Sequence, residues 1–460
     1  MYAFATAVRL GWTGEGRGLV RHGLDALQRH HITDTGEVLP LVAADGRPLS
    51  RAFDLYDQAF VLFGLAAAAA IGERVETVVP LAARLRDRMI AGWKHPEAGF
   101  EEARPRRLPL RSNPHMHLFE ACLAWAEQGG DAAWRNLADE IAELCLRRFR
   151  DPETGALREH FDGAWRRIDA DGLEVVEPGH QAEWAWLLTR WGLSRGRADA
   201  LAAARRLTDI LEGYGISSRQ GLAVNALNGD LSLRDPLLRL WPQTERIKAW
   251  IARHWLAEDS AAASACDAQI AELGRQLFRY ADHPVRGSWW ENLDASGRPV
   301  SEPARASSLY HLTCAIAELA PAGSVPTAGP RSSSAHTPEI TPAPGEAQRL
   351  RAPISNDARV VASAARTARS ASGGCDRGVE VRRDRCCGLT RAGKGDTEHC
   401  PRARSAGNFA MPTNSRAIRQ SSDGNRPPRR FRSVQKRTVN MLSQLRPTCC
   451  APSHARAANM

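Results

Sequence analysis

Five helix starts rich in polar side chains recur along this 460-residue chain at nearly constant spacing. They are centred on Tyr56, His117, His180, Glu245 and His311, which lie 61, 63, 65 and 66 positions apart. Such a period is typical of a repeated unit made of one helix, a return helix and a connecting loop. Helix pairs packed around a common axis would bring all five polar turns to the same end of the ring.

The pattern of apolar residues predicts about eleven helices, most of them in pairs and rich in Ala, Leu, Arg and Glu. They are expected over 2–10, 16–30, 56–72, 75–93, 114–128, 131–149, 180–194, 197–214, 243–257, 262–280 and 305–319. Between the pairs, Asp-Gly and Ser-Gly signals predict short hairpins or long loops. Because six pairs need twelve helices, we expect the chain to open partway into its first pair.

The composition changes abruptly after Ala320. All 13 Trp and all 5 Tyr lie in residues 1–320, whereas residues 321–460 hold 24 Lys and Arg against 9 Asp and Glu. A segment rich in Ser, Pro, Gly and Arg cannot bury enough apolar area to offset its chain entropy. We therefore predict a folded domain over 1–320 and a basic, disordered tail over 321–460.

Several classes of protein are disfavoured by the sequence. It has no apolar run of the ~18–20 residues that a membrane helix needs, and its start lacks the pattern of a secretory signal, so we expect a cytoplasmic protein. Nucleic acid is not expected as a partner, because the tail has neither clustered aromatics nor RGG-like repeats. The six tail cysteines lack the paired C-x₂-C spacing of a zinc site. The four cysteines of residues 1–320 are expected in the core.

The polar turns also carry specific motifs. They read Tyr56-Asp57-Gln58-Ala59-Phe60, Asn113-Pro114-His115-Met116-His117, Glu177-Pro178-Gly179-His180 with Glu183, Trp241-Pro242-Gln243-Thr244-Glu245 and Leu309-Tyr310-His311-Leu312. In this order, over residues 1 to about 320, the chain resembles the N-acylglucosamine 2-epimerase family, which includes aldose–ketose isomerases acting on mannose. The resemblance implies an all-α fold, an (α/α)6 barrel. The family pattern begins with a further helix and a substrate-binding arginine, whereas this sequence starts at Met1-Tyr2-Ala3-Phe4, so a barrel without its first helix is expected.

Two histidines are the candidate acid and base. His180 and Glu183 are three residues apart and share one helix face, and imidazole suits proton removal next to a carbonyl near neutral pH. A capping or core histidine paired with its carboxylate is the alternative. The resemblance implies that His180 and His311 flank C1 and C2 of the sugar and exchange a proton through an enediolate.

The resemblance also implies roles for other side chains of these turns. His117 would contact the substrate oxygens and stabilise the charge of the intermediate, whereas His115 points elsewhere and is expected to be structural. Glu183 is expected to open the sugar ring or to orient His180. Asn113 is assigned to substrate binding.

The remaining candidates come from the first and fourth turns. Tyr56 is expected to donate to a sugar hydroxyl, and Asp57 to cap its helix. Trp241 suits stacking on a sugar. Glu245 either binds a hydroxyl or caps a helix start, where carboxylates are favourable.

Further alternatives concern ligands and function. Three histidines and a glutamate could hold zinc, but there is no H-E-x-x-H run and the family pattern implies no metal, so no cofactor is expected. The arginines of 104–107 with Arg111 could meet a substrate phosphate, although short charge runs are usually solvated. A glycoside hydrolase on the same toroid, which needs two carboxylates, and an inactive family member are the alternative functions. The expected partner is a small-molecule sugar, and a homodimer is considered.

Overall fold

The structure, a computed structural model, describes residues 1–103, 105–170 and 172–320. In these residues it contains eleven α-helices, as predicted, with ends that differ by a few residues. They are α1 (Tyr2–Arg9), α2 (Gly16–Ala26), α3 (Leu55–Ala70), α4 (Val75–Trp93), α5 (Ser112–Glu127), α6 (Ala132–Leu144), α7 (Pro178–Arg195), α8 (Ala198–Tyr214), α9 (Leu240–Trp255), α10 (Ser260–Ala281) and α11 (Ala306–Leu319). The predicted tail, with its cysteines, lies outside the described residues.

The odd-numbered helices form a closed inner ring. Each packs against the next, from α1 to α3 and onward to α9 and α11, and α11 returns to α1. The helices α2, α4, α6, α8 and α10 each pack outside the inner helix that precedes them. This arrangement confirms the predicted ring of helix pairs. The residues that follow Ala320 lie outside the described part of the chain.

The inner and outer helices differ in their burial, and their sequences differ accordingly. The inner helix α7 buries residues on all its sides, both apolar ones such as Trp184, Leu187 and Trp191 and the polar His180 and Glu183. The outer helix α6 buries one stripe that contains Leu137 and Ile141 and exposes the opposite face. The four cysteines predicted in the core are buried and reduced.

Short antiparallel strands join the connections that lead into the inner helices. They are β1 (Leu41–Val42), β2 (Pro48–Ser50), β3 (Leu110–Arg111), β4 (His160–Phe161), β5 (Val175–Val176), β6 (Ala226–Asn228), β7 (Leu233–Asp235), β8 (Leu238–Arg239) and β9 (Asn292–Leu293). Strand β3 pairs with β4, β5 with β6 and β8 with β9, so each pairing links one connection to the next around the ring. These pairings hold the starts of α5, α7, α9 and α11 at one end of the molecule.

The cap of α3 differs from the expectation. Asp54 is the N-cap residue, and its carboxylate accepts hydrogen bonds from the backbone N–H groups of Tyr56 and Asp57. The prediction that Asp57 caps the helix was therefore wrong, because Asp57 already lies in the first helical turn. No helix in the described residues is long and apolar enough to cross a membrane.

Candidate active site

The first two turns of five inner helices bring every predicted site residue into one largely buried cluster at the same end of the ring. Ring and polar contacts run continuously through it, from helix α3 across α5 and α11 to α9 and α7. The predicted members are Tyr56, Asn113, His117, His180, Glu183, Trp241, Glu245 and His311. Their convergence follows from the repeat, since each inner helix starts at the same end.

His180 is held by carboxylates that come from the loops before α7. Its Nδ1 lies 3.0 Å from Oε1 of Glu159 and 3.7 Å from Oε2 of Glu177. Burial alone would lower the pKa of His180, but the two carboxylates outweigh it and raise the pKa to about 10. His180 is therefore an imidazolium at neutral pH. The alternative in which Glu183 orients His180 was wrong, because Glu159 does so.

His311 has the opposite protonation state. Its Nδ1 lies 2.8 Å from Oε1 of Glu245, whose Oε2 forms a 2.6 Å ion pair with Lys248. Burial and the positive charge of Lys248 outweigh the nearby carboxylates and lower the pKa of His311 to about 3. Burial raises the pKa of Glu245 to about 7, against the opposing effect of Lys248. Glu245 lies beyond the first turn of α9, so the alternative in which it caps that helix was wrong.

Trp241 lies between the two histidines. Its indole contacts the ring of His180 with centroids 5.1 Å apart and the ring of His311 with centroids 5.4 Å apart. Gly179 makes this position available, because a Cβ atom there would lie well inside van der Waals distance of the indole. The guanidinium of Arg239 covers the indole at 5.6 Å from the ring centroid.

A second group of polar side chains lies between α5, α7 and α11. The hydroxyl of Tyr310 lies within hydrogen-bond distance of Glu120 and 3.3 Å from Oε1 of Glu183, and its one proton can be donated to only one of these carboxylates at a time. Nδ1 of His117 lies 3.8 Å from Glu120 and 3.9 Å from Glu183, too far for direct hydrogen bonds. Burial, with the nearby charge of Glu245, raises the pKa of Glu183.

Two further side chains offer polar atoms without partners among the described residues. The hydroxyl of Tyr56 makes no hydrogen bond, and its ring meets His117 edge-on with centroids 5.0 Å apart. Burial raises the pKa of Tyr56 to about 12, so it remains a donor. Nδ2 of Asn113 lies 3.4 Å from Nε2 of His180, and its buried Oδ1 is unsatisfied. These atoms can meet hydroxyl groups of a ligand.

His115 has the structural role that was predicted. Its Nε2 accepts a hydrogen bond from the backbone N–H of Phe100 at 3.0 Å, and its Nδ1 bonds the carbonyl oxygen of Arg111 at 3.0 Å. Both ring nitrogens are thus occupied by backbone. Burial lowers the pKa of His115 to about 3, so it stays neutral.

The basic run near the second turn is partly engaged in ion pairs. Arg106 pairs with Glu101, and Arg111 pairs with Glu102. Arg104 lies outside the described residues. The two paired guanidinium groups are therefore already neutralised, and a phosphate would have to compete with these carboxylates.

Among the residues that the structure describes, three groups of side chains are close enough to share a cation, and each side chain offers one ligand atom within 4.8 Å of the others in its group. They are His117, Glu120 and Glu183; Glu159, Glu177 and His180; and Glu183, Glu245 and His311. In the third group, the Lys248 ammonium already balances the charge of Glu245. The absence of a metal stays a prediction.

Four side chains of the cluster were not predicted to act in it: Glu120, Glu159, Glu177 and Lys248. Glu120 and Lys248 follow His117 and Glu245 by three residues, a spacing that places them on the same helix face. That spacing could have identified both. Glu159 comes from a loop, and no local pattern in the sequence points it at His180.

The comparisons with known proteins agree with this geometry. The profile of the N-acylglucosamine 2-epimerase family matches residues 1–315. The chain belongs to this family. A mannose-6-phosphate isomerase of Rhizobium meliloti is 46% identical over 325 residues, which cover 69% of this chain and 83% of that protein. The predicted family and the prediction of a sugar isomerase or epimerase are thereby confirmed.

Solved structures of N-acylglucosamine 2-epimerase type share the fold. A crystal structure of D-mannose isomerase matches with a TM-score of 0.60 at 20% identity, over 68% of this chain and 82% of that one. A cellobiose 2-epimerase from Bacillus thermoamylovorans matches with a TM-score of 0.60 at 16% identity, over 69% and 84%. They confirm the predicted (α/α)6 fold. Glycoside hydrolases are more distant fold relatives, so the hydrolase alternative has less support.

Proposed function

We propose that this protein interconverts a mannose-type aldose and its ketose by moving a proton between C2 and C1. The observation that carries the proposal is the pair of histidines on either side of Trp241, one cationic and one neutral at the same pH. Titratable groups whose environments push their pKa values apart are suited to act as acid and base. Carboxylate pairs alone would suit hydrolysis instead.

His311 is the base in the aldose-to-ketose direction. At pH values above the pKa of Glu245, its carboxylate is ionised and can only accept a hydrogen bond. Nδ1 of His311 therefore carries the one proton of the neutral ring, and Nε2 keeps a lone pair. That lone pair takes the proton from C2 of the open-chain aldose. The electrons of the C–H bond then form the enediolate, with the negative charge on the former carbonyl oxygen.

His180 is the acid. Its imidazolium, held by Glu159, supplies a proton to C1 of the enediolate, while the proton of the C2 hydroxyl moves to the oxygen on C1, which gives the ketose. Delivery to the opposite face of C2 would give the epimer instead. Proton donation by a positioned side chain typically contributes about 10²–10⁴-fold to the rate.

The other side chains bind the sugar and its intermediate. His117, Tyr56 and Asn113 offer hydrogen-bonding atoms to sugar hydroxyls and to the enediolate oxygens. Glu183 is assigned to ring opening as the group that gives a proton to the ring oxygen, and burial, which raises its pKa, favours its acid form. Trp241 provides a flat apolar surface for the sugar carbons.

Mannose and mannose 6-phosphate are the substrates to compare. The Rhizobium meliloti relative is named for the phosphorylated sugar, and one solved structure is of D-mannose isomerase. Because Arg106 and Arg111 are paired with glutamates, we favour the unphosphorylated sugar. A homodimer and a cytoplasmic location are retained as predictions.

Proton exchange at C2 of the aldoses and at C1 of fructose tests the proposal. The protein is incubated in D₂O with mannose, fructose, N-acetylmannosamine and mannose 6-phosphate, and deuterium incorporation is followed by NMR. We expect exchange and ketose formation with mannose. A folded protein that exchanges none of the four sugars would contradict the proposal.

A further inference from the structure

Lys248 is a lysine enclosed within the ring of inner helices. Both it and Glu245, one turn earlier on α9, have 0% of their surface exposed. Its Nζ lies 2.6 Å from Oε2 of Glu245, 3.5 Å from Sγ of Cys314 and 3.9 Å from the ring centroid of Trp186. Burial of an ammonium group costs free energy unless the group is paired with an opposite charge. The arrangement around Lys248 therefore indicates that its charge has a specific role.

Acidic groups face Lys248 from several helices. Glu245 contacts it on its own helix, Glu183 faces it from α7 and Glu120 from α5. Helix α11 contributes the thiol of Cys314, for which burial raises the pKa to about 12, so that it is neutral near pH 7. The same helix carries His311, which contacts the far oxygen of Glu245. The Glu245 carboxylate thus bridges an ammonium and an imidazole.

We propose that Lys248 is a positioning residue, which holds the Glu245 carboxylate so that His311 keeps Nδ1–H toward Glu245 and leaves Nε2 free as the base. This inference rests on the proposed function. Lys248 lies behind Glu245 and is fully enclosed, so it acts through that carboxylate and not by contact with the sugar.

Loss of the ammonium would change the protonation of its neighbours. An opposite charge within about 4–6 Å lowers the pKa of a carboxyl group by about 1–3 units. Without Lys248, the pair of Glu245 and His311 would therefore hold an additional proton at higher pH. If that proton sits on the ring, or on the Glu245 oxygen that faces Nδ1, Nε2 carries a hydrogen and cannot take one from the sugar.

The pH dependence of kcat/KM tests the role of Lys248. For Lys248→Met we expect the acid limb of the profile to move to higher pH by about 1–3 units. Lys94→Met is the matched control, since Lys94 also pairs with a glutamate, Glu140, and lies over an aromatic ring, that of Phe100, but away from the cluster. We expect its acid limb to stay unchanged. An unchanged limb in Lys248→Met would overturn the proposal.

A double-substitution cycle separates action through Glu245 from a general packing effect. In a Glu245→Gln background, Lys248→Met should no longer move the acid limb of the pH profile, because the carboxylate through which it acts is absent. A further shift in the double variant would overturn the proposal. The comparison stands even if Lys248→Met alone does not fold, because the double variant leaves neither buried charge unpaired.

The NMR spectrum of His311 tests the role of Lys248 independently of the proposed function. In ¹⁵N-histidine-labelled protein, with His311 assigned from a His311→Asn variant, we expect the Nδ1–H form in the wild type and protonation of Nε2 in Lys248→Met near neutral pH. Identical His311 spectra in the two proteins would overturn the role of Lys248. Absence of C2 exchange in the wild type would instead overturn the proposed function.

Discussion

The indole of Trp241 packs against the imidazole of His180, with ring centroids 5.1 Å apart. Because the same indole also contacts His311, a cationic histidine and a neutral histidine both pack against this one side chain. An acid and a base that are held in fixed positions can act on adjacent carbons of one bound sugar. Such positioning removes much of the entropic contribution to the activation barrier.

The pH profile of the wild type should be bell-shaped. Activity needs an ionised Glu245, for which burial raises the pKa to about 7, and a protonated His180, with a pKa raised to about 10. We therefore expect kcat/KM to rise with pH through about 7 and to fall through about 10. The measurement is mannose isomerisation from about pH 5 to about pH 11. Activity that stayed constant through pH 7 would count against the assigned role of Glu245.

The alkaline limb should depend on Glu159. Replacing this residue by Gln removes the nearer of the two carboxylates that raise the pKa of His180, so the limb should move to lower pH. The same pair contributes stability that is fully present below the ordinary histidine pKa of 6.5 and is lost as pH rises through about 10. Thermal melts of Glu159→Gln and wild type should therefore converge above that pH. A melting difference that persists there would argue against the pair.

A methyl group at Gly179 should disturb the surface between the two histidines. Gly179→Ala places Cβ against the indole of Trp241, and overpacking of this kind typically costs about 1–3 kcal/mol. We expect a lower melting temperature and a higher KM for mannose. Gly274→Ala, inside α10 with open space around its Cβ, is the control and should gain about 0.5–1 kcal/mol. Equal behaviour of the two variants would show that Trp241 tolerates displacement.

The sequence predicted the helices, their ring and the shared end at which the site lies, because the polar turns recur with the period of a helix pair. It also separated His117 from His115, whose ring is now seen bonded to backbone on both nitrogens. It did not predict the partner of His180. Glu159 reaches that ring because β4 pairs with β3, and loop pairings of two residues leave no pattern in a sequence.

The spacing of residues along the sequence also left alternative roles open for some side chains, and the packing of the helices decides between them. Asp54 and Asp57 are both acidic and both near a helix start, and the position at which α3 begins selects Asp54 as the cap. Glu245 was open to a capping role until its contacts with Lys248 and His311 were known. These assignments depend on which helices pack against each other. The spacing of residues within one helix does not determine that.

Deuterium incorporation at C2 of mannose by His311→Asn tests the central claim most directly. If the two histidines transfer the proton, this variant should fold as the wild type does and exchange about 10²–10⁴-fold more slowly. Exchange at the wild-type rate in a folded His311→Asn protein would contradict the account.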